Sequence, residues 1–196
     1  MKNFTKTILA SVLILTFATV AFSQVDIGFK GIGGKVGFVS PEDPIGSTLG
    51  LGVVADLGTI TPDIHLSAFV DFWNKSYDSG SGFGYTAKWT WTEMVFGAAA
   101  KYYFPMEGSK FKPYAGGGLG FAYGKSKWTS DAINTGFGTI GGGSYSSSNT
   151  NIGFRILAGA DYELSPGLTG FAEATYHIDG VDYFGIFVGV TKTLGQ

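Results

Sequence analysis

The chain has 196 residues, a single-domain length, with 32 glycines, 16% aromatic residues and only 14% charged residues. Soluble domains carry about 25% charged residues, so this composition suits many strands and turns better than helices. The formal net charge of −2 gives no electrostatic case for nucleic acid, and the absence of cysteine excludes disulfides, thiolate metal sites, a cysteine nucleophile and a lipidated cysteine.

The N-terminus carries Lys2 and Lys6, then a nearly uncharged apolar run from Thr7 to Phe22. Ala21 and Ser23 put small residues at the −3 and −1 positions of a cleavage site. The segment 1–23 reads as a secretory signal peptide, with a retained membrane anchor as the competing reading. Cleavage after Ser23 removes both lysines and takes the net charge from −2 to −4. The rest, 24–196, reads as one domain. No later apolar run approaches the ~18–20 residues of a membrane helix.

The strands follow in order, each read from period-two alternation. The first, Ile27 to Val39, alternates imperfectly because Lys30 and Lys35 fall on opposite parity. A bulge near Gly33-Gly34 would reconcile them. After a loop at 40–46 comes Thr48 to Gly58, with Leu49, Leu51, Val53, Ala55 and Leu57 on one face. The third, Ile64 to Tyr77, sets Leu66, Val70 and Phe72 against His65, Phe69, Asp71 and Trp73. A Gly/Ser loop at 78–87 leads to Lys88–Phe104, where Met94 and Phe96 oppose Glu93 and Lys101.

The fifth strand contains PYAGGGLGFAY, Pro113 to Tyr123. Its Leu119, Phe121 and Tyr123 share one face, and Gly116, Gly118 and Gly120 the other. Glycines so placed fit a tightly curved wall, with bulky side chains such as Phe69 or Tyr103 filling the space above them. The strand ends near Trp128. A polar, glycine-rich loop at 129–149 follows. The sixth strand, Asn151 to Leu164, opposes Ile152, Phe154 and Ile156 to Arg155 and Asp161. Ser165-Pro166-Gly167 is a tight turn. The seventh strand, Leu168 to Ile178, carries Glu173 and His177 on its polar face, and Asp179-Gly180 signals a hairpin into Asp182–Leu194.

Eight strands of about ten or more residues have membrane-spanning length when tilted. Short turns follow strands two, four and six, and longer loops follow strands one, three and five. This predicts an all-β fold, an eight-stranded antiparallel up-and-down transmembrane β-barrel. The face opposite the apolar one carries Asp56, His65, Asp71, Glu93, Lys101, Arg155, Asp161, Glu173 and His177. That set is too ionisable for a dry soluble core, so the apolar face is assigned to lipid and the polar face to the lumen. At eight strands the lumen is filled by side chains. Arg155 and Lys101 are predicted as the cationic centre of a lumen network, neutralised by some of Glu93, Asp71, Asp161 and Glu173. Tyr102, Phe104, Tyr123, Trp128, Tyr162, Tyr176 and Tyr183 lie near strand ends, as girdle aromatics would.

The PYAGGGLGFAY strand, the hairpin NIGFRILAGADYELSPGLTGFAEATYH (Asn151 to His177) and the final strand together resemble the outer-membrane β-barrel family. That family includes opacity-like and OmpA/OmpX-type eight-stranded barrels. The resemblance implies a bacterial outer membrane location. It also implies contacts with outer-membrane lipid and lipopolysaccharide, handling by the barrel-assembly machinery, and a structural or adhesion-like role. Such barrels usually end on an aromatic residue, whereas this chain ends Thr193-Leu194-Gly195-Gln196, with Leu194 as the substitute.

Candidate chemistry is sparse. His177, with Glu173 and Asp179 nearby in sequence, is placed near the extracellular end, where a lipid A-modifying enzyme would need a base. His65 is placed at the periplasmic end, so the two histidines cannot share a metal. Gly31-Ile32-Gly33-Gly34 and Gly141-Gly142-Gly143 lack the following helix of a phosphate loop. Trp89, Trp91, Lys88 and Lys127 suggest either interfacial anchoring or a patch facing sugars or lipid headgroups. The reading is a non-enzymatic surface barrel without catalytic residues, cofactor or metal. It contacts a surface ligand through loops 40–46, 78–87 and 129–149 and stands as a monomer, since a closed barrel leaves no edge demanding a partner. A lipid A-modifying enzyme using His177 and a conduit for small hydrophobic molecules are the alternatives.

Overall fold

A computed structural model describes residues 25–82, 85–134 and 138–195. The predicted signal peptide lies outside the described residues. Eight strands follow in chain order: β1 (Asp26–Pro41), β2 (Thr48–Thr61), β3 (Ile64–Gly82), β4 (Tyr85–Tyr103), β5 (Phe111–Asn134), β6 (Thr139–Ser165), β7 (Leu168–Ile178) and β8 (Tyr183–Thr193). Each pairs with its sequence neighbours, and β1 pairs with β8 from Gly31↔Thr193 to Pro41↔Tyr183, which closes the sheet into a ring. Every pairing is antiparallel.

The apolar face is on the outside. Leu49 is 70% exposed and Ile152 68%, while Trp73, Tyr183 and Phe187 on the opposite parity are 1% exposed. Alternation of this kind buries the polar face and presents the apolar one, the reverse of a soluble barrel.

The β1 irregularity lies between Ile27 and Gly31, not at Gly33-Gly34. From Gly31 onward β1 runs in unbroken register against both neighbours. Moving the irregularity N-terminal leaves Lys30 at the rim, paired with Asp26 at 2.6 Å, and turns Lys35 into the lumen.

The polar stretches expected as loops at 78–87 and 129–149 are largely strand. Asp78 pairs with Lys88 and Gly82 with Tyr85. Ser126 pairs with Ser147, and the ladder continues to Asn134↔Thr139. Serine and glycine hide the strand signal because neither face there is apolar. The two segments nevertheless satisfy their backbone groups on each other. The β1–β2 connection, Glu42–Ser47, is a loop.

The β5 glycines have a different cause from the one expected. A Cβ on Gly116 or Gly118 would run into the backbone oxygens of Ala100 or Ala98, and one on Gly120 would lie 2.7 Å from the Phe96 oxygen. The neighbouring β4 backbone fills that space, rather than Phe69 or Tyr103. Glycine here permits the close strand approach of a tightly curved wall.

Candidate functional site: the lumen network and the extracellular hairpins

The periplasmic end of the lumen is a cavity of about 390 Å³, lined by Asp56, His65, Lys101, Tyr103, Asp161 and Phe171 among others. Tyr103 Oη donates to Asp161 Oδ2 at 2.6 Å, and the His65 ring packs on Tyr103 with centroids 4.5 Å apart.

Above it five strands converge on one ionic network. Lys35 Nζ lies 2.8 Å from Asp71 Oδ1 and 3.8 Å from Glu173 Oε1. Arg155 Nη1 reaches Asp71 Oδ2 at 3.1 Å, and Arg155 Nη2 donates to Glu173 Oε1. Lys101 Nζ lies 2.8 Å from Glu173 Oε2, to which Tyr114 Oη also donates at 3.0 Å. Three cations thus share two carboxylates. Aromatic faces offset the excess: Arg155 sits 4.3 Å from the Phe69 ring centroid, Lys35 4.4 Å from that of Phe187, and Lys101 4.3 Å from that of Tyr114. Gly52 on β2 leaves room for the ions, since a Cβ there would stand 2.6 Å from Lys35 Cε.

Of the six residues predicted for this network, Arg155, Lys101, Asp71 and Glu173 come together. Glu93 and Asp161 stand outside the ion pairs: Glu93 Oε2 accepts from Trp91 Nε1 at 3.2 Å, and Asp161 accepts from Tyr103. Lys35 is absent from the predicted set, because a bulge at Gly33-Gly34 leaves its side undetermined. Its shared parity with Gly31, Gly33 and Gly37 is the signal that places it.

The extracellular half of the lumen is aromatic. His177 is 1% exposed, stacked on Tyr183 at 4.4 Å and 10°, and edge-on to Phe69 at 6.0 Å. The barrel wall separates it from lipid. Glu173 is engaged by cations, and Asp179 Oδ1 accepts from the Val181 amide at 3.4 Å in the β7–β8 turn. Burial holds the Asp179 carboxyl up at about 6. Tyr183 is therefore a lumen residue and not a girdle aromatic. Tyr102, Phe104, Tyr162 and Tyr176 are exposed near strand ends, and Tyr123, expected at a strand end, is exposed in the middle of β5.

Register across β3–β6 fixes where the apolar belt stops. The row Phe72↔Met94↔Tyr123↔Thr150 is its upper edge, and the next outward row is Asn74↔Thr92↔Lys125↔Ser148. On the inward side, Tyr77↔Trp89↔Trp128↔Tyr145 forms one aromatic row above the lumen mouth. Tyr77 and Trp89 stack at 5.6 Å and 9°, and Trp89 Nε1 donates to Ser126 Oγ at 2.7 Å. Trp128 belongs to this row and faces away from lipid, so it is not a girdle residue. The Trp/Lys cluster seen in sequence is split: Trp89 and Trp91 face inward, Lys88 and Lys127 outward.

The hairpin edges differ. The β3 edge is covered by the β1–β2 loop: Tyr77 Oη donates to the Pro44 oxygen at 2.9 Å, and Lys75 Nζ to the Ser47 oxygen at 2.7 Å. The β6 edge is open. β6 pairs with β5 from Thr139 onward, but with β7 only from Phe154.

A family model, the outer membrane protein beta-barrel domain, matches residues 8–191. The chain belongs to this family. It is a protein of the bacterial outer membrane, and the outward apolar belt described above is its lipid-facing surface. Neisserial surface protein A is similar in structure, at 18% identity and a TM-score of 0.59 over 87% of this chain and 100% of that one. A major outer membrane protein from Thermus thermophilus is similar at 11% identity and 0.53, covering 83% and 99%. OprG from Pseudomonas aeruginosa is similar at 16% identity and 0.50, covering 87% and 95%. At these identities the likeness concerns the fold. No curated protein sequence matches the chain.

Proposed function

We propose that this barrel is a non-enzymatic surface element whose β5–β6 hairpin engages an extended segment of a partner protein outside the cell. One observation carries the reading: above Phe154, β6 has no strand partner on its second edge among the described residues. From Thr139 to Gly153 it carries no charged residue and no proline. Edge strands usually carry such residues to prevent pairing, so an unguarded edge is a template for strand addition. Tyr145, 71% exposed on that strand, supplies an aromatic anchor.

The lumen supports the same reading. Lys35, Asp71, Lys101, Arg155 and Glu173 are engaged with each other and His177 is sealed between rings, which favours a structural role over lipid chemistry. Large buried side chains in the middle of the lumen favour a plug over a conduit.

The test is a barrel in which residues 129–148 are replaced by a two-residue turn. Its heat-modifiable gel mobility should be unchanged, while cells displaying it should lose binding to matrix proteins and to other cells. Undiminished binding by the truncated barrel would defeat the reading.

A further inference from the structure

We propose that Lys88, Lys125 and Lys127 form a seat for the phosphate groups of the outer-leaflet glycolipid, on the lipid-facing side of β4 and β5. This contact lies on the opposite face from the aromatic row and is independent of the proposed partner edge.

Position is the first argument. The three lysines share the outward parity of Met94 and Tyr123, the last apolar residues of the belt on their strands. Lys125 is two residues beyond Tyr123, and Lys127 four. At about 3.3 Å per residue and a tilt near 40°, they stand roughly 5 and 10 Å above the hydrocarbon edge. Lys88 is six residues from Met94, about 15 Å up, and its long stem can reach down toward the same layer. That is headgroup depth.

Charge is the second. None of the three ammonium groups forms an ion pair or hydrogen bond among the described residues. Asp78 stands opposite Lys88 in register without an ion pair. On the far side of the rim the charges are acidic, with Glu42 and Asp43 in the β1–β2 loop and Asp182 after β7, while the lysines' own sector holds two carboxylates, Asp78 and, four residues beyond Lys127 on the same face of β5, Asp131. The three lysines outnumber the two carboxylates of this sector, and Lys125 and Lys127, nearest the apolar belt, lie on the membrane side of both.

Neighbouring groups are the third. Lys127 pairs with Thr90 and Ser146, and Lys125 with Thr92 and Ser148. Ser146 and Ser148 are exposed and lack side-chain bonds among the described residues, leaving hydroxyls to donate to phosphate oxygens. Lysine binds phosphate as a point charge and suits a mobile headgroup. Surrounding lipid shields this outward face from protein partners.

The experiment titrates the mature barrel in detergent with bisphosphorylated lipid A, dephosphorylated lipid A and inorganic phosphate. It compares wild type with Lys88→Gln/Lys125→Gln/Lys127→Gln and with a control carrying Lys110→Gln/Lys112→Gln/Lys192→Gln at the periplasmic rim. Lysines near a membrane surface contribute roughly fivefold each, so the extracellular triple variant should weaken bisphosphorylated lipid A binding by on the order of a hundredfold. The periplasmic control should leave it unchanged. Lys125→Gln alone, with heat-shift mobility as the folding check, should weaken it about fivefold. Equal affinity in wild type and the extracellular variants would overturn the proposal. So would equal binding of dephosphorylated lipid A, or inorganic phosphate binding as tightly as the lipid.

Discussion

Arg155 on β6 donates to Glu173 on β7, and through its other terminal nitrogen it reaches Asp71 on β3 at 3.1 Å. One guanidinium therefore ties distant parts of the ring through the lumen. Glu173 is the more heavily used carboxylate, with Lys35, Lys101 and Arg155 all within 4 Å.

Removing Glu173 leaves those three cations with Asp71 alone. Glu173→Gln should destabilise the folded barrel by about 3–5 kcal/mol, the range for a buried pair broken on one side. Adding Lys101→Met should recover part of the loss by removing an uncompensated charge. Urea midpoints of the two variants and of Lys101→Met alone, in one detergent, give the coupling. Additive effects would mean the two side chains do not interact.

The wall glycines make a sharper packing prediction. Gly118→Ala puts a methyl against the Ala98 oxygen and 2.9 Å from the Ala99 Cβ, whereas nothing lies within 4 Å of a methyl at Gly143. Gly118→Ala should cost about 1–3 kcal/mol, by overpacking, and Gly143→Ala close to nothing. Comparable folded fractions for both would argue against the close β4–β5 approach.

Strand number and the inside-out placement of polar residues are legible in the chain because alternation is strict wherever one face meets lipid. Leu119, Phe121 and Tyr123 show this on β5, as do Ile152, Phe154 and Ile156 on β6. Alternation fails where neither face is apolar. The segment Ser144–Asn149 pairs with Gly124–Thr129 through the backbone ladder, so its sequence resembles a loop. Local parity is also lost across an irregularity, which is why Lys35 does not stand out as a lumen cation. Tyr183 shows a different limit, since proximity to a strand end suggests a girdle position while its parity puts it inside.

The β7–β8 turn should respond to pH through Asp179. Its carboxyl titrates near 6 when the turn is packed, above the usual value of 3.8. The packed turn therefore favours the protonated form. Its stabilisation is complete below about pH 4 and is lost as pH rises through 6. Carboxyl carbon NMR should show the Asp179 midpoint near 6. Asp179→Asn should make protease nicking of the turn insensitive to pH between 4 and 7. A midpoint near 4 would mean the side chain is solvated.

The exposed β6 edge is best tested by replacing adjacent residues in it. Neighbouring residues of a strand turn their amides to opposite sides, so Ser147→Pro and Ser148→Pro between them remove one free-edge donor and one β5 ladder bond. Binding of displaying cells to a target surface is measured for each, with heat-shift mobility as the folding control. The account predicts that the free-edge variant loses about tenfold or more of the binding while its hairpin stays as protease-resistant as wild type. Full binding by both variants would contradict it.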